Sequence, residues 1–249
     1  MPSSDLIAFV VAVFLLAGWV KGVVGMGLPT VAMGALGLVM TPLQAAALLV
    51  VPSLVTNVWQ FVTGAGARTM IRRLASMMVL VCVGTALGIQ FLASGASRWP
   101  SVALGAVLAL YALLGLLLPK LFVPARLQGA LSPVVGLLTG ILTGATGVFV
   151  VPAVPYLSAL GLTKDELVQA LGLSFTVSTI ALAVALGSTG SYPRHLLVAS
   201  LVVVLPALLG MFVGQRMRER IEPVAFRRWF FVSMLLVGCY MLVRGLVAQ

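Results

Sequence analysis

From Leu6 to Met40 the chain is apolar except for one charge, Lys21. A perpendicular helix needs about 20 residues to cross a hydrocarbon core of roughly 30 Å. This run is too long for one simple pass, and its middle is built to break. Gly18, Gly22, Gly25 and Gly27 interrupt it, and Pro29 follows. Glycine adopts backbone shapes that other residues resist. Proline lacks the N–H that would continue a helical ladder. In lipid such a break is tolerated only where protein or a water-filled cavity covers it. Many secondary carriers build their substrate site on broken helices at membrane depth.

Composition supports a membrane setting. Of 249 residues, 61% are apolar and 8% are charged, and the mean hydropathy is +1.20. Soluble domains carry roughly a quarter charged residues. The net charge of +10 comes from 15 basic and 5 acidic residues. The basic residues cluster between apolar runs, where they act as topology signals. No basic patch interleaved with aromatics lies outside those runs, so nucleic acid is not an expected partner. Cys82 and Cys239 are expected to be buried small hydrophobes. His195 has no ligand-spaced neighbours, and neither a metal nor a cofactor is expected. The opening Met-Pro-Ser-Ser-Asp lacks a positive n-region, so the first run is expected to be retained as a membrane segment.

The second apolar run lies between Leu43 and Val62. One face carries Ser53, Thr56, Asn57 and Gln60, brought together by helical spacing. Amides in a bilayer are costly unless they pair or face a cavity. Further runs cover about 74–92, 102–118, 167–186, 195–213 and 229–243. Between 129 and 160 lies another overlong run, built on Gly136, Gly140, Gly144, Gly147 and Pro152.

The second half echoes the first in order. Gly18 and Gly22 match Gly136 and Gly140; Gln44-Ala45 matches Gln169-Ala170; Gly84 and Gly88 match Gly210 and Gly214. The expected fold is an all-α polytopic membrane protein with two homologous halves, residues 1–119 and 120–249. Charge then suggests their relation. Eight single crossings would put the loops around Arg68 to Arg73 and Arg216 to Arg228 on opposite sides, against the positive-inside tendency. If each overlong run enters and leaves as two elements, both loops and the Lys120/Arg126 connector share the cytoplasmic side. Five elements per half make the halves inverted repeats, with broken helices that either cross or re-enter.

The Gly22 to Pro42 break, the Gln44 to Gln60 segment and the Gly136 to Gly161 block resemble the TauE/SafE family of sulfite and organosulfonate exporters. The resemblance covers essentially the whole chain. Where the family often has three consecutive glycines, this chain reads Gly27-Leu-Pro29 and Ala145-Thr-Gly147. The resemblance implies two homologous halves and permeation of small anions, including sulfite, sulfonates and related sulfur-containing acids. A multi-pass protein of the cell inner membrane is expected.

The residues themselves suit a carrier rather than an enzyme. No Ser-His-acid arrangement is credible, and no phosphate loop is present. A carrier needs donors in a low-dielectric cavity. Backbone N–H groups freed at Gly25, Gly27 and Gly147 can hold a carboxylate or sulfonate. Thr30, Asn57, Gln60, Thr143, Thr146, Ser174 and Ser178 offer side-chain donors. Lys21 either snorkels to an interface or attracts the anion toward the break. The alternative function is a channel-like conduit or a membrane component of a larger assembly. A coupling ion such as H+ and homo-oligomer formation stay open, with lipids as the surrounding partners.

Overall fold

The structure is a computed structural model that describes residues 4–64, 66–93, 98–117, 122–190, 194–218 and 223–247. Lys120, the 119/120 half boundary and the His195 side chain lie outside the described residues. All regular elements among the described residues are helices: α1 (Ser4–Val24), α2 (Leu28–Leu36), α3 (Pro42–Val62), α4 (Ala67–Ala93), α5 (Trp99–Leu117), α6 (Ala125–Thr146), α7 (Ala153–Ser158), α8 (Lys164–Ser188), α9 (Arg194–Val202), α10 (Val204–Met217) and α11 (Pro223–Val247). Eight helical segments are long and apolar enough to cross a membrane. The short α2 and α7 are not, at about 1.5 Å rise per residue.

Both overlong runs end their first helix in the same way. Gly25 has φ 82° and Gly147 has φ 75°, a left-handed conformation that glycine adopts without a Cβ penalty. Gly25 N–H donates to Lys21 O at 2.7 Å, and Gly147 N–H donates to Thr143 O at 2.8 Å. Each glycine thereby caps a helix C-terminus with one backward bond. The chain then turns into α2 or α7. The long helices that follow also start alike. Thr41 and Gln44 form a reciprocal capping box on α3, and Thr163 and Glu166 form one on α8. Each box satisfies two otherwise unpaired backbone donors.

Glycines set the closest helix contacts. A methyl added at Gly18 would come within 2.1 Å of Ala207 O, and one at Gly22 within 2.2 Å of Met211 O. On α6, a methyl at Gly140 would come within 2.2 Å of Val81 O, and one at Gly144 within 2.4 Å of Thr85 O. Such backbone approach is open only to small residues, and in lipid close packing is a main source of helix association. These contacts pair Gly18 with Gly140 and Gly22 with Gly144 by role. That is one helical turn away from the Gly136 and Gly140 match read from sequence. Gly136 makes its own equivalent contact, to Met77 O, so glycine spacing alone could not fix the register.

The contacts also fix helix directions. Gly18 meets Ala207 and Gly22 meets Met211, so α1 and α10 run parallel. Gly140 meets Val81 and Gly144 meets Thr85, so α6 and α4 run parallel. Gly105 meets Gly238 while Gly115 meets Phe231, so α5 and α11 are antiparallel. Gly64 meets Gln169 and Asn57 meets Thr179, so α3 and α8 are antiparallel. Combined with the short connections between spanning helices, these directions put the α3–α4 loop, the start of α6, the start of α8 and the end of α10 at one end of the bundle. Arg73 bears this out: it donates to Gln128 Oε1 at 2.9 Å and to Leu160 O at 3.2 Å, joining three of those places. The opposite end holds the α2–α3 turn, the start of α5 and the end of α11, where Arg244 donates to Leu38 O at 3.0 Å.

Large apolar side chains such as Leu87, Val184 and Leu236 cover the outside, while Lys21, Asn57, Gln169 and a set of hydroxyls are buried. This is the distribution a bilayer solvent asks for, with polar groups facing the bundle interior. Cys82 and Cys239 correct one expectation: both are exposed. They lie on outward faces of α4 and α11, where lipid takes the place of a protein core.

Candidate functional site

The polar face of α3 turns inward at the α3–α8 crossing. Ser53, Thr56, Asn57 and Gln60 are buried, whereas Trp59 on the other side of the helix is 57% exposed. Pro52, inside α3, leaves the Leu48 carbonyl without its helical donor. Ser200 of α9 fills that vacancy, donating to Leu48 O at 2.8 Å and accepting from Val51 N–H at 3.2 Å. The proline thus ties α3 to α9 just below the polar cluster.

Lys21 reaches into this cluster from α1. It is only 3% exposed. Its ammonium donates to Asn57 Oδ1 and, at 3.1 Å, to Thr56 Oγ1. The snorkelling reading of Lys21 is therefore overturned: α10 and α2 cover α1, and the side chain turns toward α3 instead of along lipid. Asn57 Nδ2 in turn donates to Ser53 Oγ at 3.0 Å and to Thr179 Oγ1 at 3.5 Å. Thr179 donates to its own helix at Phe175 O, 2.6 Å away. Thr56 donates likewise to Pro52 O at 2.8 Å. The hydroxyl protons are thereby used, and the oxygens face the cluster as acceptors.

Among the described residues, the charge of Lys21 meets only neutral groups here. The α2, α3 and α10 helices contain no acidic residue, and Asp5 lies at the far end of α1. Asp165 and Glu166 are exposed in the first turn of α8. A buried ammonium with neutral partners lacks the pairing that normally offsets desolvation. An incoming anion would complete it.

One turn further along α3, Gln60 Nε2 donates to Gly25 O and to Val168 O, both at 2.9 Å. One amide thus holds the α1 break, α3 and α8 together. Gln169 returns the contact from α8, with Nε2 donating to Phe61 O at 3.1 Å and to Gly64 O at 2.8 Å. These two straps close the end of the crossing nearest the basic loops.

The remaining expected residues divide. Thr30 donates to Gly27 O at 2.9 Å, Thr143 to Thr139 O at 2.7 Å and Thr146 to Leu142 O at 2.7 Å. They pair within their own turns, and none contacts Lys21. Thr146 also accepts from Val148 N–H beyond the second break. Ser174 and Ser178 are fully buried, and their hydroxyls have no hydrogen-bond partner; Thr139 Oγ1 and Gln169 Oε1 share that state. Buried polar atoms without partners are uncommon and call for an explanation. Gly25, Gly27 and Gly147 sit at the breaks, with Gly147 beside Met33 and Ala46, but the Gly25 and Gly147 N–H groups are spent on their helix caps rather than freed for an anion.

Thr179 is the residue the sequence reading left out of the site. The capping boxes at Thr41 and Thr163 carried the signal. Aligning those two starts places Thr179 opposite Asn57, the residue it meets.

A family model described as sulfite exporter TauE/SafE matches residues 10–241. No curated protein and no solved structure matches the chain.

Proposed function

This chain belongs to the sulfite exporter TauE/SafE family, and from that premise we propose that it is a secondary carrier for small anions, sulfite and organosulfonates foremost. The observation that carries the reading is the buried Lys21 ammonium, held by Asn57 and Thr56 with no carboxylate among the described residues to neutralise it. A tetrahedral oxyanion supplies the missing charge and accepts the remaining ammonium hydrogen. The unpaired hydroxyls of Ser174 and Ser178 are further donors within the bundle. The break at Gly25 and Gly27 frees backbone N–H groups at the start of α2, close to Gln60. Thr143, Thr146 and Gly147 mark the second break, and Thr30 lines the first. The burial of the whole cluster supports a carrier with closed states over an open conduit.

Two inverted halves, 1–119 and 120–249, supply the alternating states in this reading. The directions of the helices support it. With α1 taken as up, α3 and α5 are also up, and α4 is down; α6 and α8 are down, α10 is up and α11 is down. Each helix of the second half opposes its counterpart in the first. The shared glycine caps and capping boxes support the same correspondence, with Lys21 matched to Thr143 and Asn57 to Thr179. A position that meets its own counterpart lies beside a two-fold axis, so the Asn57–Thr179 contact supports an axis at the polar cluster. The basic end is assigned to the cytoplasm and the protein to the cell inner membrane.

The test is counterflow of labelled sulfite in proteoliposomes. Wild type should exchange with saturable kinetics. Lys21→Met, which removes the charge and keeps the stem, should cut exchange at least about tenfold, with partial recovery in Lys21→Arg. Undiminished exchange by Lys21→Met at equal incorporation removes the ammonium from the site.

A further inference from the structure

At the end of the bundle opposite the basic loops lies a partly open cavity of about 450 Å3. Its volume is within the range of about 300–1,000 Å3 common for small-molecule sites. Three elements meet around it: the turn from α2 into α3, the start of α5 and the end of α11. Arg98 and Arg244 line it, together with Ser101, Tyr240 and Gln44. Among the described residues, no carboxylate does.

The donors are organised. The Arg98 guanidinium lies over the Trp99 ring at 5.6 Å, a stacking that favours a fixed plane for its N–H fork. One Arg244 N–H binds Leu38 O, which anchors the side chain and leaves most of its five donors. Gln44 spends its Oε1 on the Thr41 cap, so its NH2 group is what remains for the cavity. The Arg244 fork, a hydroxyl and an amide NH2, with the Arg98 charge beside them, match the oxygens of a tetrahedral anion.

The placement adds a second argument. Among the described basic residues, helix direction assigns Arg98, Arg194 and Arg244 to this end. Topology signals work against arginine on the non-cytoplasmic face. Two of the three nevertheless border one cavity. A role in topology does not account for that convergence, whereas an anionic ligand does.

We propose that this cavity binds the head of one tetrahedral oxyanion, sulfonate or phosphate, and serves as the outer vestibule in which the transported anion is held before or after passage. The vestibule role rests on the carrier reading above; the oxyanion site does not. The same oxygens could belong to a free anion or to a phospholipid headgroup, so the experiment separates them.

Methanesulfonate is titrated calorimetrically into purified full-length protein in phospholipid-free detergent. The variants are Arg98→Gln/Arg244→Gln and, separately, Ser101→Phe, which fills the cavity and keeps the Arg244–Leu38 bond. Both should weaken a binding event by at least about tenfold, and both should raise the half-saturation concentration from that face with little change in maximal rate. Lys21→Met should keep this binding event while losing turnover. Unchanged methanesulfonate affinity in folded Ser101→Phe overturns the site, even if the arginine pair fails to fold. Displacement of methanesulfonate by added phosphatidylglycerol, and not by phosphatidylcholine, assigns the cavity to lipid and overturns the vestibule. Loss of affinity in the cavity variants beside normal turnover in Lys21→Met would leave this site standing and sink the central one.

Discussion

Lys21 is buried inside the bundle, and its charge determines what its neighbours must do. Asn57 and Thr56 give it two neutral acceptors. A built-in carboxylate would satisfy the ammonium better but, in the proposed reading, would also occupy the place of the anion. This gives a sharp prediction for Asn57→Asp. The shape is kept, and Lys21 gains a permanent counter-ion. Thermal stability should hold or rise, because a paired buried charge replaces an unpaired one. Affinity for sulfite should fall by at least about tenfold, since the anion now competes with a fixed carboxylate. Normal sulfite binding by Asn57→Asp would show that the anion sits elsewhere. The residue scale was only partly legible in the sequence. The Asn57 and Gln60 face could be read from helical spacing and from the cost of amides in lipid. The depth of Lys21 could not: counting residues from Leu6 gives a height in the membrane but not which side of the helix is covered. Thr179 was hidden for another reason. Serine and threonine in membrane helices usually bond their own backbone, and Thr179 does so at Phe175 O. Its second contact, with Asn57, comes from a helix more than a hundred residues away.

Between elements, the two glutamine straps determine which end of the crossing is closed. Gln60 joins α3 to the Gly25 break and to α8, and Gln169 joins α8 back to Phe61 and Gly64. Nothing equivalent can form at the other end by the same correspondence, where the counterparts are Leu182 and Ala47. Opening toward the basic loops therefore breaks four amide–carbonyl bonds, each worth about 0.5–1.5 kcal/mol net. Gln60→Ala combined with Gln169→Ala should weaken this closure. A cysteine at Ser53, in a background lacking Cys82 and Cys239, should then react several-fold faster with a small thiol reagent added from the basic side. Unaltered reactivity, with the double variant folded, would mean that the straps hold the helices without gating them. The glycine contacts give a second expectation for elements. Gly22→Leu would press a side chain into Met211 O and Gly214, so little protein should reach the membrane. Sequence made the existence of these elements plain, because apolar length and glycine breaks are strong signals. The register between halves was harder. Gly136, Gly140 and Gly144 offer three equally spaced candidates, and only contacts with the facing backbone choose among them.

At the scale of the whole molecule, helix direction and charge agree without having been derived from each other. Directions follow from which residues touch: α1 with α10, α4 with α6, α3 against α8 and α5 against α11. Charge follows from the sequence alone. Together they put Arg68, Arg72, Arg73, Arg126, Lys164 and Arg216 at one end, and Arg98 and Arg244 at the other. Eight single crossings in sequence would separate Arg73 from Arg216. In the proposed inverted-repeat reading, α7 supplies the additional reversal between them that brings them together, and α2 is its counterpart in the first half. In that reading each returns the chain part of the way, between a glycine cap and a threonine cap, so that α3 and α8 start again in the direction of the helix before the break. The consequence is measurable in sealed inverted and right-side-out vesicles. Single cysteines at Arg68, Met217 and Trp99 are introduced after removal of Cys82 and Cys239, whose exposed positions on α4 and α11 would otherwise add background. Arg68→Cys and Met217→Cys should react with an impermeant reagent in the same vesicle orientation, the one that exposes the cytoplasmic face. Trp99→Cys should react only in the other. Opposite labelling at Arg68 and Met217 would rule out the inverted halves, because an even number of crossings per half would then be required. Shared labelling from the outer face would keep the halves inverted and reverse the membrane assignment, so the vestibule at Arg98 and Arg244 would face the cytoplasm instead.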